Sequence, residues 1–174
     1  MCSSDLEEVF CCFVDFRKAF DTVPRDKLWG RMEELGVPIH LREFVHRMNE
    51  EVKVKTRTSA RIFESFRSNI RVKQGFPLSP TLFGLYINEL EEWLKSQGGD
   101  SIHLGKFIIR LLLYADDLML IAKSALGLQE HLRSLENFCR RVGMQVNISK
   151  KKVVVFSNKR KHNQHKFYFE GKIM

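Results

Sequence analysis

Short apolar runs alternate with amphipathic stretches along this chain. Val9 to Val14 (VFCCFV) is β-branched, aromatic and apolar throughout, which predicts a buried strand closed by Asp15. Pro24 suits the first turn of a helix in which Leu28, Met32 and Leu35 share one face until Gly36 stops it. Pro38 marks the next start, and the spacing of Leu41, Phe44, Val45 and Met48 predicts a second short helix to about Asn49. Val52 to Thr58 alternates apolar or β-branched residues with basic ones, the pattern of a half-exposed strand. Ile62 to Phe66 and Ile70 to Val72 are further short strands, so an antiparallel hairpin is expected here. Ser79 as N-cap and Pro80 as first helical residue open a long helix. Its stripe is Leu82, Phe83, Tyr86, Ile87, Leu90, Trp93 and Leu94, and Gly98-Gly99 ends it. Leu111 to Ile121 is apolar at both ends and carries Asp116-Asp117 at its centre. That reads as strand, tight turn, strand, with Ala115 and Asp116 near the tip. Leu126, Leu128, Leu132, Leu135, Phe138, Cys139 and Val142 then form an amphipathic helix closed by Gly143. Val153 to Phe156 predicts a buried strand, and Phe167 to Phe169 a final one that turns at Glu170-Gly171.

Composition narrows the class. A chain of 174 residues, 44% apolar and 29% charged, suits one soluble globular domain or part of a larger protein. Lys plus Arg number 29 against 21 acids, a net +8 that favours a polyanionic partner such as nucleic acid. Lys53, Lys55, Arg57, Arg61, Arg67, Arg71 and Lys73 crowd the predicted hairpin with Glu64 among them, which points to phosphate contact. No apolar run is long enough to span a membrane, and the first residues lack the basic and apolar regions of a signal peptide. The four cysteines include no CxxC pair, and Cys11 and Cys12 read as buried thiols of a reducing compartment. His162 and His165 lack further ligands at metal-site spacing. An intracellular protein, nuclear or cytoplasmic and not secreted, is expected.

The candidate chemistry lies in the carboxylates. Asp116 and Asp117 on a rigid tip repel each other unless a cation sits between them, and carboxylate oxygens suit a hard divalent ion such as magnesium. A solvated turn acid pair fits the same local pattern, and Asp15 by itself fits a turn acid or helix cap. Gln74-Gly75 precedes a rigid Pro-containing turn. Gly75 permits close backbone approach, and Gln74 offers both donor and acceptor.

Four segments, taken in order, resolve the ambiguity. Phe13-Val14-Asp15-Phe16-Arg17-Lys18-Ala19-Phe20-Asp21 is similar to the first carboxylate motif of non-LTR (LINE-type) retrotransposon reverse transcriptases. Gln74-Gly75-Phe76-Pro77-Leu78-Ser79-Pro80 resembles that family's Gln-Gly-x-Pro-Leu-Ser-Pro motif, and Tyr114-Ala115-Asp116-Asp117 its Tyr-Ala-Asp-Asp box. Gly143 to Lys150 resembles its Gly-x-x-x-Asn-x-x-Lys motif. Together they span Val9 to Phe156, nearly the whole chain. The resemblance implies an RNA-directed DNA polymerase that extends a DNA primer on an RNA template with deoxynucleoside triphosphates. It assigns Asp15 and Asp116 as ligands of two Mg2+ ions (or Mn2+), with Asp117 as third acid and the main-chain oxygen near Phe16 completing a metal shell. Lys150 matches the lysine that protonates the leaving pyrophosphate. Phe20 matches an aromatic that rejects a 2′-hydroxyl by steric contact. Arg17, Lys18, Gln74 and Gly75 match nucleotide-binding positions, and Tyr114, Pro77 and Lys73 positions beside template and primer.

The expected fold is α+β: an antiparallel palm sheet carrying Asp15 and the Asp116-Asp117 hairpin, with helices on one face and part of the fingers inserted at about residues 41–73. Phe76 and Lys151 depart from common family residues. Upstream fingers motifs, the primer-grip hairpin and the thumb are not found in residues 1–174, so the chain reads as a fragment of a longer polyprotein. A decayed, inactive remnant that only binds nucleic acid is the alternative.

Overall fold

The computed structural model describes residues 8–50, 53–54, 66–67, 77–147, 152–158 and 165–174. The elements are, in order, β1 (Glu8–Asp15), α1 (Ala19–Thr22), α2 (Arg25–Glu34), α3 (Ile39–Glu50), β2 (Lys53–Val54), β3 (Phe66–Arg67), α4 (Ser79–Tyr86) and α5 (Leu90–Ser96). They continue with β4 (Ile102–Leu104), β5 (Phe107–Ile109), β6 (Leu111–Tyr114), β7 (Asp117–Ala122), α6 (Ala125–Val142), β8 (Lys152–Ser157), β9 (Tyr168–Phe169) and β10 (Lys172–Ile173). The chain divides into two compact units, Met1–Ala19 with Ile87–Met174, and Phe20–Tyr86. The architecture is α+β with antiparallel pairing.

In the first unit, β6, β7, β1 and β8 form a four-stranded antiparallel sheet in that order. The VFCCFV run becomes a central strand because both its faces are apolar. Phe10, Cys12 and Val14 are buried on one face together with their register partners Ala122, Leu120 and Leu118. On the other face Phe13 is 43% exposed, and Leu112 beyond it is half exposed. The described cysteines, Cys11, Cys12 and Cys139, are buried, and none of the three is in a disulfide.

α6 packs against the sheet through Leu128, Leu132, Leu135 and Phe138. Ser124 caps its start by accepting from Gly127 N at 3.0 Å, and Gly143 ends it in the left-handed conformation that lets the chain turn back. A knot centred on Asp100 anchors the same helix end. Asp100 accepts from Lys123 N at 2.8 Å and from the Ser124 hydroxyl, and its carbonyl accepts from Nε2 of buried His131 at 2.8 Å. Trp93 Nε1 donates to Ser134 O at 3.0 Å and ties α5 to α6.

In the second unit, Val23, Leu28, Met32, Leu82, Phe83 and Tyr86 are buried. α3 lies on α2, with the Trp29 and His46 rings 5.1 Å apart and Arg42 paired to Glu33 at 3.0 Å.

Several expectations need correction, among them Leu126, which is exposed at the start of α6 although it is expected on the apolar stripe. The single long helix from Ser79 is two helices, broken by a turn at Ile87–Glu89 where Leu90 N donates back to Ile87 O at 2.9 Å. Its apolar stripe persists across the break, which is why periodicity hides it. On α3 only Val45 of the predicted stripe is buried, while Leu41 and Phe44 are exposed. Periodicity reports an apolar face and not what covers it. The Val153–Phe156 strand is only half-buried, and Phe156 is exposed. Of the basic hairpin, Lys53–Val54 and Phe66–Arg67 pair antiparallel, and its remaining positions lie outside the described residues.

Candidate active site

The site is built at one end of the sheet. β1 ends at Asp15, and Asp15 is the register partner of Asp117 at the start of β7. Asp117 in turn is the register partner of Tyr114, so Ala115-Asp116 is a two-residue turn between β6 and β7. Ala115 holds φ at +53°, a left-handed conformation that an alanine adopts only where its surroundings impose it. Direct cross-strand partners project to the same face of a sheet. Tyr114, Asp117 and Asp15 therefore share the face opposite Val14 and Leu118. Asp15 and Asp116 are half-buried, and Asp117 is exposed. Two carboxylates from strands distant in sequence thus stand side by side, with a third in the adjoining turn.

The segment after α6 joins them. Phe16 and Val146 form an antiparallel bridge, and Arg17 N donates to Gln145 O at 2.7 Å. Asn147 N donates to Asp15 O at 2.7 Å, and Asn147 Nδ2 donates to Asp15 Oδ2 at 3.2 Å. This contact to the carboxylate is absent from the sequence reading. The motif points to Asn147 as ordering its own turn by side-chain to backbone bonding, and gives no sign of the bond to the Asp15 carboxylate.

An open depression of about 540 Å3 runs beside the acids, lined among others by Phe13, Asp15, Leu112, Tyr114, Asp117 and Met119. Lys152 on β8 is the register partner of Phe13 and shares the open face, exposed. The edge of the acid cluster therefore carries apolar and aromatic surface, with Lys152 on the same face.

The other predicted residues fall as follows. Phe16 is buried, while Arg17 and Lys18 are exposed, Lys18 with φ at +51° as the chain leaves β1. Tyr114 is 84% exposed at the tip. Phe20 is half-buried, its ring edge-on to Phe83 at 5.6 Å. Pro77 is exposed at the start of the turn into α4. Lys73, Gln74, Gly75 and Lys150 lie outside the described residues. His165 sets its ring edge on Phe10 at 5.2 Å, while His162 lies outside the described residues.

Among the described residues, no group of three or more His, Cys, Asp or Glu side chains is placed so that together they could hold a metal ion. The donor set still suits a hard cation. Mg2+ is commonly bound by one or two carboxylates, with water and substrate phosphates filling its remaining positions. Asp15 and Asp117 on one sheet face, with Asp116 next to them, are the carboxylates that could offer oxygens to such an ion.

Comparison with known proteins gives a consistent picture. Residues 3–171 match the family model "Reverse transcriptase (RNA-dependent DNA polymerase)". The chain is 31% identical over 142 residues to the Pol polyprotein of the type-2 retrotransposable element R2DM of Drosophila melanogaster. It is 32% identical over 142 residues to the Pol polyprotein of a type-1 element R2 of Popillia japonica. These matches take in 80% and 79% of this chain but only 13% and 19% of the relatives, so it spans a small part of their length. Among solved structures, C-terminally truncated apo telomerase from Candida tropicalis superposes with a TM-score of 0.67 at 17% identity. That match covers 97% of this chain and 34% of the telomerase. Telomerase from the same organism with a fragment of telomeric RNA gives a TM-score of 0.62 at 14% identity, over 99% of this chain and 30% of that one. At such identities the likeness is one of fold.

Proposed function

The chain belongs to the reverse transcriptase (RNA-dependent DNA polymerase) family, and on that premise we propose that it is the palm of a retrotransposon polymerase that extends a DNA primer on an RNA template. The unit bearing the four-stranded sheet is the palm, and residues 41–73 contribute part of the fingers. The observation that carries this reading is the register pairing of Asp15 with Asp117 beside the Asp116 turn.

Asp15 and Asp116 would hold divalent ions, Mg2+ or Mn2+, with Asp117 as the third acid toward the primer end. Divalent ions held there would supply stabilisation of the charge that develops on the oxygens of an in-line phosphoryl displacement. The chain's own part is to hold the carboxylates on a rigid sheet end. Phe16, packed in the core after Asp15, offers its main-chain oxygen at the same place. Arg17, Lys18, Gln74 and Gly75 receive the incoming nucleotide. Phe20 stands against its sugar and excludes a 2′-hydroxyl. Lys150 gives a proton to the departing pyrophosphate. Tyr114, Pro77 and Lys73 lie along template and primer, and the net charge of +8 draws both in. Such a reaction takes place inside the cell, alongside the template. No helix among the described residues is long and apolar enough to cross a membrane.

The test is extension of oligo(dT) on poly(rA) with and without Mg2+. Mg2+-dependent extension is expected, reduced about a hundredfold to a thousandfold by Asp15→Asn or Asp116→Asn, the effect of losing several kcal/mol of transition-state stabilisation. Extension indifferent to both substitutions would overturn the assignment. Template binding without any extension would favour the inactive remnant.

A further inference from the structure

Asn147 grips Asp15 twice. Its main-chain N–H donates to Asp15 O at 2.7 Å, and its side-chain Nδ2–H donates to Asp15 Oδ2 at 3.2 Å. The first bond fixes where the end of β1 lies. The second sets the rotation of the carboxylate plane, and with it the direction in which the other oxygen is presented. An uncharged amide suits this position. A lysine or arginine would compete with a cation for the carboxylate, and an aspartate would add a third repelling charge to the Asp15–Asp117 pair. The half-buried setting of both residues keeps the contact from being exchanged freely with water.

We infer that Asn147 is a positioning residue for divalent-ion binding: it orients the Asp15 carboxylate toward the face that Asp15 shares with Asp117. This rests on the reading of Asp15 as an ion ligand. Outer partners of metal ligands are typically worth about 10-fold to 100-fold in metal affinity. The two bonds separate the roles, because side-chain truncation leaves the main-chain bond to Asp15 O in place while removing the one to Oδ2.

The experiment is Mn2+ titration of the 174-residue chain by electron paramagnetic resonance, with thermal unfolding measured on each variant. Asp15→Asn serves as the reference for loss of a ligand. Asn147→Ala and the near-isosteric Asn147→Leu should each lower Mn2+ affinity about tenfold or more while remaining folded at the assay temperature. A folded variant binding within about twofold of the unsubstituted chain would overturn the inference and leave Asp15's role standing. Unfolding of both variants would make Asn147 a structural clamp and overturn it too. Mn2+ binding unaffected by Asp15→Asn would remove the ligand reading itself, and the inference with it.

Discussion

His131 on α6 is fully buried, its Nε2–H held by Asp100 O, and its Nδ1 has no partner among the described residues. Burial pushes its pKa below the ordinary 6.5, outweighing the opposing effects of the hydrogen bond and the charge of Asp100. The unfolded chain then binds more protons than the folded one between the two values. Stability is complete above the unfolded pKa and falls as pH drops through it toward the lower folded value. Thermal midpoints should therefore fall from about pH 7.5 to about pH 5.5, and His131→Gln, whose amide can donate to the same carbonyl, should flatten that slope. A second prediction concerns Phe20. In a longer protein carrying the complete fingers and thumb, Phe20→Ala should weaken discrimination against ribonucleotides about tenfold or more, read from competing dTTP and UTP incorporation. Unchanged discrimination would remove Phe20 from the sugar-selecting role. At this scale the sequence was informative about residue types and poor about contacts. Asp15 and the Asp116-Asp117 pair stand out because acids interrupt apolar runs. The bond from Asn147 to Asp15 joins residues 132 positions apart, a separation on which no local pattern bears.

Among the elements, α6 shows how tightly one helix end is specified. A Cβ added to Gly127 would lie 2.3 Å from Asp100 Oδ1, and one added to Gly99 would lie 2.7 Å from the His131 ring. Helix propensity favours Ala over Gly by about 1 kcal/mol. Overpacking typically costs about 1–3 kcal/mol, and here it also displaces the acceptor that holds Lys123 N and Ser124. Gly127→Ala should therefore destabilise the chain by about 1 kcal/mol or more in urea unfolding, against the sign that propensity alone predicts. The strands β1 and β7, the Ala115-Asp116 turn and α6 were legible because period, turn and cap signals agree there. The break at Ile87–Glu89 was not, because its apolar stripe continues across it. The packing of α3 was not, because Leu41 and Phe44 keep helical spacing while remaining exposed.

For the molecule as a whole, the order of four motifs was more informative than any one of them. The expectation that acids distant in sequence meet rested on that order, since hydrophobic pattern contains no register between β1 and β7. Of the two unit boundaries, Ala19/Phe20 lies inside the first carboxylate motif and Tyr86/Ile87 inside an apolar stripe, so neither leaves a compositional mark. The excess of positive charge makes a further prediction at this scale. Binding of labelled RNA, followed by fluorescence anisotropy, should weaken steeply between about 50 mM and about 200 mM salt, with a log–log slope of about 0.7 per phosphate contacted. A salt-independent affinity would argue against a phosphate-binding face. We propose that Asp15 and the Asp116-Asp117 turn form one divalent-ion site. Paramagnetic broadening of backbone amide NMR signals by substoichiometric Mn2+ tests it most directly. Broadening should centre on residues 15–17, 114–118 and 147 and vanish in Asp15→Asn. Broadening centred elsewhere, or unchanged by that substitution, would mean that these acids do not form the ion site.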